Sequence, residues 1–152
     1  MKTTFLYLLT AASALAASPG SLPGWKLIWN DEFDRTGVID TTKWSPCERG
    51  PSDWNNTMTR DPRCYVVKGG TVQLQGLVND GKDRKDKAPF LTGGITTKGK
   101  FSFKHGKIEI RARYKSAKGA WPALWLLGVE GGWPGNGEID LMEHLNFDRS
   151  VY

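Results

Sequence analysis

The sequence predicts an all-β protein built as a two-sheet sandwich, and three observations predict it. Apolar and polar residues alternate over short runs: in Lys107–Tyr114, Ile108, Ile110, Ala112 and Tyr114 fall on one side and Lys107, Glu109, Arg111 and Arg113 on the other. Turns rich in glycine, which supplies 18 of the 152 residues, separate those runs. Seven tryptophans crowd the connections, as suits loops over a binding cleft better than loops that only close turns.

The elements follow in order. "KLIWNDEF" (Lys26–Phe33) opens as a strand. "YVVKGGTVQLQGLV" (Tyr65–Val78) reads as a strand, a Gly69-Gly70 turn and an alternating strand. "FSFKHGKIEIRARY" (Phe101–Tyr114) reads as two strands joined at His105-Gly106. "GAWPALWLL" (Gly119–Leu127) brings two tryptophans and an apolar run, and "WPGNG" (Trp133–Gly137) turns into "EIDLME" (Glu138–Glu143). Strand after strand across Gly-rich turns is the pattern of a sandwich.

The amino terminus reads as an export signal over residues 1–16. Lys2 gives a charged start, Phe5–Leu9 an apolar run, and Ala14-Leu15-Ala16 a cleavage motif, with breakers from Pro19 onward. No later stretch has the apolar length of a membrane span, so the expectation is a secreted or periplasmic chain with one domain over 17–152. Lysine and arginine total 21 against 16 acidic residues, a net charge of +5 that falls by one without Lys2. Basic residues are dispersed, as in "GKDRKDK" (Gly81–Lys87), which argues against nucleic acid as a partner. In an exported chain Cys47 and Cys64 allow a disulfide across "PSDWNNTMTRDP" (Pro51–Pro62), with buried free thiols as the alternative. Their spacing does not suit structural zinc, and no metal ligand set is expected.

Glu138, Asp140 and Glu143 carry the chemistry. In a regular strand Glu138 and Asp140 share a face, and Glu143 points away from them. One bulge around Leu141 and Met142 absorbs the extra residue and returns Glu143 to the acidic face. Two long glutamates leaning inward across the shorter aspartate could then approach the separation of a retaining glycosidase. The competing readings are a solvated acidic strand face and a helix, since Ile139, Met142 and Leu145 also mark a helical stripe. Three adjacent carboxylates repel one another, and such crowding is most simply explained where a proton is put to use.

"GKIEIRARY", "GAWPALWLL" and "GEIDLMEHLN", with "WNDEFD" near the start, closely resemble glycoside hydrolase family 16 over about Trp25–Tyr152. The resemblance is strongest to its laminarinase-like and mixed-linkage β-glucanase branch. It implies a concanavalin A-like jelly-roll sandwich with a cleft on its concave face, and endo cleavage of β-1,3- or mixed-linkage β-1,3-1,4-glucans with retention. It places the nucleophile at Glu138, the residue controlling protonation at Asp140 and the acid/base at Glu143, with Met142 as the inserted residue of the bulge. It also implies a longer catalytic domain than this chain supplies, so the sandwich is expected to be truncated at its C-terminus. The resemblance further implies no required cofactor, a structural calcium in some relatives, a polysaccharide substrate and a monomeric full-length protein.

Trp121, Trp125 and Trp133 lie near the trio and are candidates for sugar stacking, with core packing the alternative for Trp125. Asn55 is a candidate cleft residue by resemblance, or an ordinary loop amide. His144 is expected on the opposite face as a packing residue, and His105 in a solvated turn. Two other functions stay in view: a galactan hydrolase of the same family, acting on agar, carrageenan or porphyran, and a non-catalytic glucan-binding lectin.

Overall fold

The structure, a computed structural model, describes residues 23–115 and 117–146. The expected signal peptide at 1–16 lies outside them. The chain divides into two compact units, Met1–Asp31 and Glu32–Tyr152. In the first, the described residues 23–31 are turn and coil. Coil continues through Phe33, so "KLIWNDEF" forms no strand, contrary to its apolar pattern.

Among the described residues, the regular structure of the second unit is strand, apart from one 3-10 turn over Pro62–Cys64, in keeping with an all-β fold. The strands are β1 (Ser45–Pro46), β2 (Tyr65–Val67), β3 (Val72–Leu74), β4 (Gly76–Val78), β5 (Phe90–Thr92), β6 (Ile95–Thr96), β7 (Ala123–Leu127) and β8 (Glu138–Glu143). They associate as antiparallel pairs, β1 with β6, β2 with β3, β4 with β5 and β7 with β8. The β2–β3 hairpin turns through Gly69 and Gly70, both at positive φ, as the Gly-Gly signal required.

Phe101–Tyr114 is extended in pattern but is not assigned as strand. Alternation selects a face, whereas a strand needs a neighbour to take its backbone hydrogen bonds, and no described strand pairs with this segment. Ile110 and Tyr114 on its apolar side are correspondingly exposed. His105 falls in a bend, as expected.

The core gathers on Cys64, Tyr65 and Leu91, with Leu77 and Ile95 packed against it. Backbone bonds knit its strands: Gln75 N–H donates to Cys64 O at 3.1 Å and Gly93 N–H to Gln75 O at 2.9 Å. A Cβ at Gly93 would overlap the Cys64 carbonyl oxygen, so only glycine lets these chains approach.

The two cysteines are free thiols, which corrects the expected disulfide between Cys47 and Cys64. Cys64 is fully buried and turns its Sγ to Leu91 O at 3.6 Å, while Cys47 sits beside Gly94, bonding Gly94 O through its own N–H at 2.8 Å. The two flank the adjacent glycines Gly93 and Gly94, each as a free thiol. Burial pushes the Cys47 thiol up to about 11, with Glu48 adding to it, and burial also raises Cys64.

Ion pairs fasten the loops around this core. Arg49 grips Asp86 through two bonds, of 2.6 and 2.8 Å, and donates from Nε to Met58 O at 2.7 Å. Arg63 bridges Asp61 and Asp80.

Candidate active site

β7 and β8 form the ribbon that carries the carboxylates. Its register pairs Ala123 with Glu143, Leu124 with Met142, Trp125 with Asp140, Leu126 with Ile139, and Leu127 with Glu138, with a shift between Leu124 and Trp125. The partners of the three carboxylates are therefore alternate residues of one strand, which all face the same way. Glu138, Asp140 and Glu143 share a face, and the expected bulge is present. The residue left without a partner is Leu141, whereas Met142 pairs with Leu124, so the insertion lies one residue earlier than the resemblance placed it. The helical reading of this segment is excluded.

Glu138 and Glu143 lie opposite residues four apart on β7, about 13 Å along a strand. Groups that act on one bond across such a span must be long and lean inward, which fits glutamate at the ends and aspartate between.

Backbone pairing continues past β7 and β8. His144 N–H donates to Pro122 O at 3.1 Å and Asn146 N–H to Ala120 O at 2.9 Å. Trp121 therefore extends the row of Ala123, Trp125 and Leu127 on the carboxylate face, and its Nε1–H donates to Glu143 Oε1 at 3.0 Å. At the other end of the row, Trp133 Nε1–H donates to Glu138 Oε2 at 2.6 Å. Trp133 stands on the hairpin loop between β7 and β8, and is 69% exposed, as its turn position suggested.

That loop is held from within. Gly128 N–H donates to Gly137 O at 3.2 Å, and Asn136 Nδ2 donates to Gly128 O at 2.7 Å. A Cβ at Gly128 would overlap the Asn136 carbonyl oxygen. Gly137 at positive φ turns the chain into Glu138.

Trp125, half-buried opposite Asp140, meets Trp54 edge to face with ring centroids 5.1 Å apart. Trp54 was not singled out by sequence reasoning; the signal available was its place beside Asn55. Asn55 Oδ1 accepts from Ser52 N–H at 3.1 Å and closes its own turn, as an ordinary loop amide does. His144 is buried, with its ring 5.2 Å from Tyr114, in the packing role expected of it.

A cavity of about 460 Å³ lined by Arg49, Arg63, Asp61, Asp80 and Asp86 is a rival location for a site. It contains none of the carboxylate-face residues, and Arg49 and Arg63 are both engaged by carboxylates. No group of three or more His, Cys, Asp or Glu side chains able to hold a metal ion occurs among the described residues. Among them, too, no helix is long and apolar enough to cross a membrane.

β7 and β8 thus form an antiparallel ribbon with Glu138, Asp140 and Glu143 on one face and the indoles of Trp121 and Trp133 bonded to its two glutamates. Residues 92–151 match the family model described as "XgeA-like, catalytic GH16 domain". The chain is 33% identical to a beta-glucanase of Rhodothermus marinus, over 99% of this chain and 55% of that protein. It is 37% identical to a keratan-sulfate endo-1,4-beta-galactosidase of Sphingobacterium multivorum, over 91% of this chain and 33% of that protein. Its structure is similar to that of the laminarinase from Rhodothermus marinus, with a TM-score of 0.73, 35% identity, and 86% of this chain and 54% of that chain covered. The chain is similar in sequence and in structure to proteins of glycoside hydrolase family 16. It spans between about a third and just over half of the length of these relatives.

Proposed function

We propose that this chain carries the catalytic face of an endo-acting, retaining hydrolase of β-1,3- or mixed-linkage β-1,3-1,4-glucans. The observation that carries the reading is the register of β7 and β8, which puts Glu138, Asp140 and Glu143 on one face through a bulge at Leu141. Glu138 attacks the anomeric carbon and forms a glycosyl ester while Glu143 gives its proton to the departing glycosidic oxygen. Glu143, now a carboxylate, takes a proton from water, whose oxygen attacks the same carbon and releases Glu138. Asp140 lies between them and influences the proton on its neighbours. Trp121, Trp125 and Trp133 offer ring faces for sugar stacking along the row. The chain is exported by this reading, with cleavage after Ala16.

A galactan hydrolase is the second reading. It is favoured by the name of the Sphingobacterium multivorum relative and by the mild positive charge, which suits a sulfated chain.

The test is hydrolysis of laminarin, lichenan and agarose by the longest product of the reading frame that holds this chain. Short oligosaccharides released early from the glucans, and lost by at least about a thousandfold in Glu138→Gln, are the expected result. Cleavage of agarose alone would favour the second reading, and binding of glucan without new reducing ends would favour a lectin.

A further inference from the structure

The hydrogen bonds from Trp121 and Trp133 carry an inference that rests on the hydrolase reading above. An indole Nε1–H is a donor and never an acceptor. Trp133 commits its donor to Glu138 Oε2 at 2.6 Å, and Trp121 commits its donor to Glu143 Oε1 at 3.0 Å. Each glutamate of the pair therefore has one oxygen tied and the other open to a reaction partner.

We propose that Trp121 and Trp133 are positioning residues: their indole N–H groups clamp the two glutamates so that Glu138 presents Oε1 to the anomeric carbon and Glu143 presents Oε2 to the leaving oxygen. The donors reach the pair from outside β8. Trp133 comes from the hairpin loop fixed by Gly128, Asn136 and Gly137, and Trp121 from the paired segment ahead of β7. They stand at opposite ends of the carboxylate row, where a glutamate has most freedom to swing away from the bond it must act on. The shorter bond, at Glu138, has the length of a charge-assisted contact. A polysaccharide lying over the face displaces water from the exposed Trp133, and the bond strengthens as the local dielectric falls.

Stacking and clamping make different demands on the same ring. Stacking needs an aromatic face, which phenylalanine supplies, whereas the clamp needs the N–H, which phenylalanine lacks. Trp133→Phe and Trp121→Phe, made in the longest product of the reading frame and assayed on laminarin, separate the two. Each is expected to lower kcat by about tenfold to a hundredfold, with KM held within about threefold. Trp133→Ala is expected to raise KM as well, because the ring face is also lost. A Trp133→Phe variant whose kcat stays within about twofold of the parent overturns the clamp.

A readout independent of turnover is the Trp133 indole proton resonance in a nitrogen-15 spectrum. Glu138→Ala removes the acceptor and is expected to move that resonance upfield. An unmoved resonance also overturns the clamp. A parent protein that cleaves no polysaccharide sinks the hydrolase reading instead, and the resonance then still decides whether the indole holds the carboxylate.

Discussion

The β7–β8 ribbon and the core around Cys64 are made from the same unit, the antiparallel strand pair, yet they bury their side chains to opposite degrees. Cys64 and Leu91 are 0% and 4% exposed, whereas Ile139 and Leu141 on the ribbon are 61% and 44% exposed. Around the core, arginines are engaged by carboxylates: Asp86 is tied to Arg49, and Asp61 and Asp80 to Arg63. On the ribbon, two carboxylates are held by indole N–H groups, and neither forms an ion pair with a cation among the described residues. A carboxylate paired with arginine is a stabilising tie. One held by a neutral donor keeps its capacity to attack or to carry a proton. The core region is therefore where stability should respond to mutation, and the ribbon is where turnover should respond.

Removing the bulge is the hardest strain on that contrast. Deletion of Leu141 together with Met142 removes the bulge and leaves Glu143 three positions after Glu138, which on a regular strand turns it to the opposite face. Turnover is expected to fall by more than roughly a thousandfold, with kinetics matching Glu143→Gln. Near-parental turnover in the deletion variant would show that the bulge does not align the pair.

Leu91→Ala should do the reverse. It empties part of the packed cluster and is expected to cost about 2 to 5 kcal/mol of stability, read by denaturant unfolding. The turnover of the molecules that remain folded should be unchanged. A selective loss of kcat in this variant would mean that the core and the ribbon are coupled more tightly than their contacts suggest.

The smallest expected effect is acid sensitivity of the ion pairs. Arginine side-chain hydrogen bonds are the first cause holding the Asp61, Asp80 and Asp86 carboxyls below the usual carboxylate range. A depressed folded-state value contributes stability that is fully present above the unfolded carboxylate value, about pH 4, and is lost as pH falls through the folded one. The thermal midpoint should therefore drop below about pH 4, and Arg49→Gln should remove the share of that drop due to Asp86. An unchanged pH profile in Arg49→Gln would assign the drop to other carboxylates.

Much of the ribbon was legible in the sequence because its determinants are local. The two-then-three spacing of the carboxylates required a bulge, and alternation in "AWPALWLL" puts Trp121 and Trp125 on the face that Glu143 and Asp140 also occupy. What alternation cannot show is a partner. The Phe101–Tyr114 segment carries the cleanest alternation in the chain and has no paired strand among the described residues, so a pattern of faces was mistaken for a ladder. The expectation at Cys47 and Cys64 has a related cause, since pairing depends on where two thiols point, and the Cys64 Sγ points to Leu91 O. The edge-to-face contact of Trp54 with Trp125 was not legible either, because it joins residues far apart in the chain.

The central claim is that Glu138 and Glu143 cleave a glucan by two successive displacements at one carbon. Proton NMR of the first products released from laminarin tests it most directly, because the anomeric signal reports configuration before mutarotation scrambles it. Two displacements predict that the β-anomer of the new reducing end appears first and the α-anomer grows in later. An α-anomer appearing first would mean a single displacement by water, and Glu138 would then not be the nucleophile.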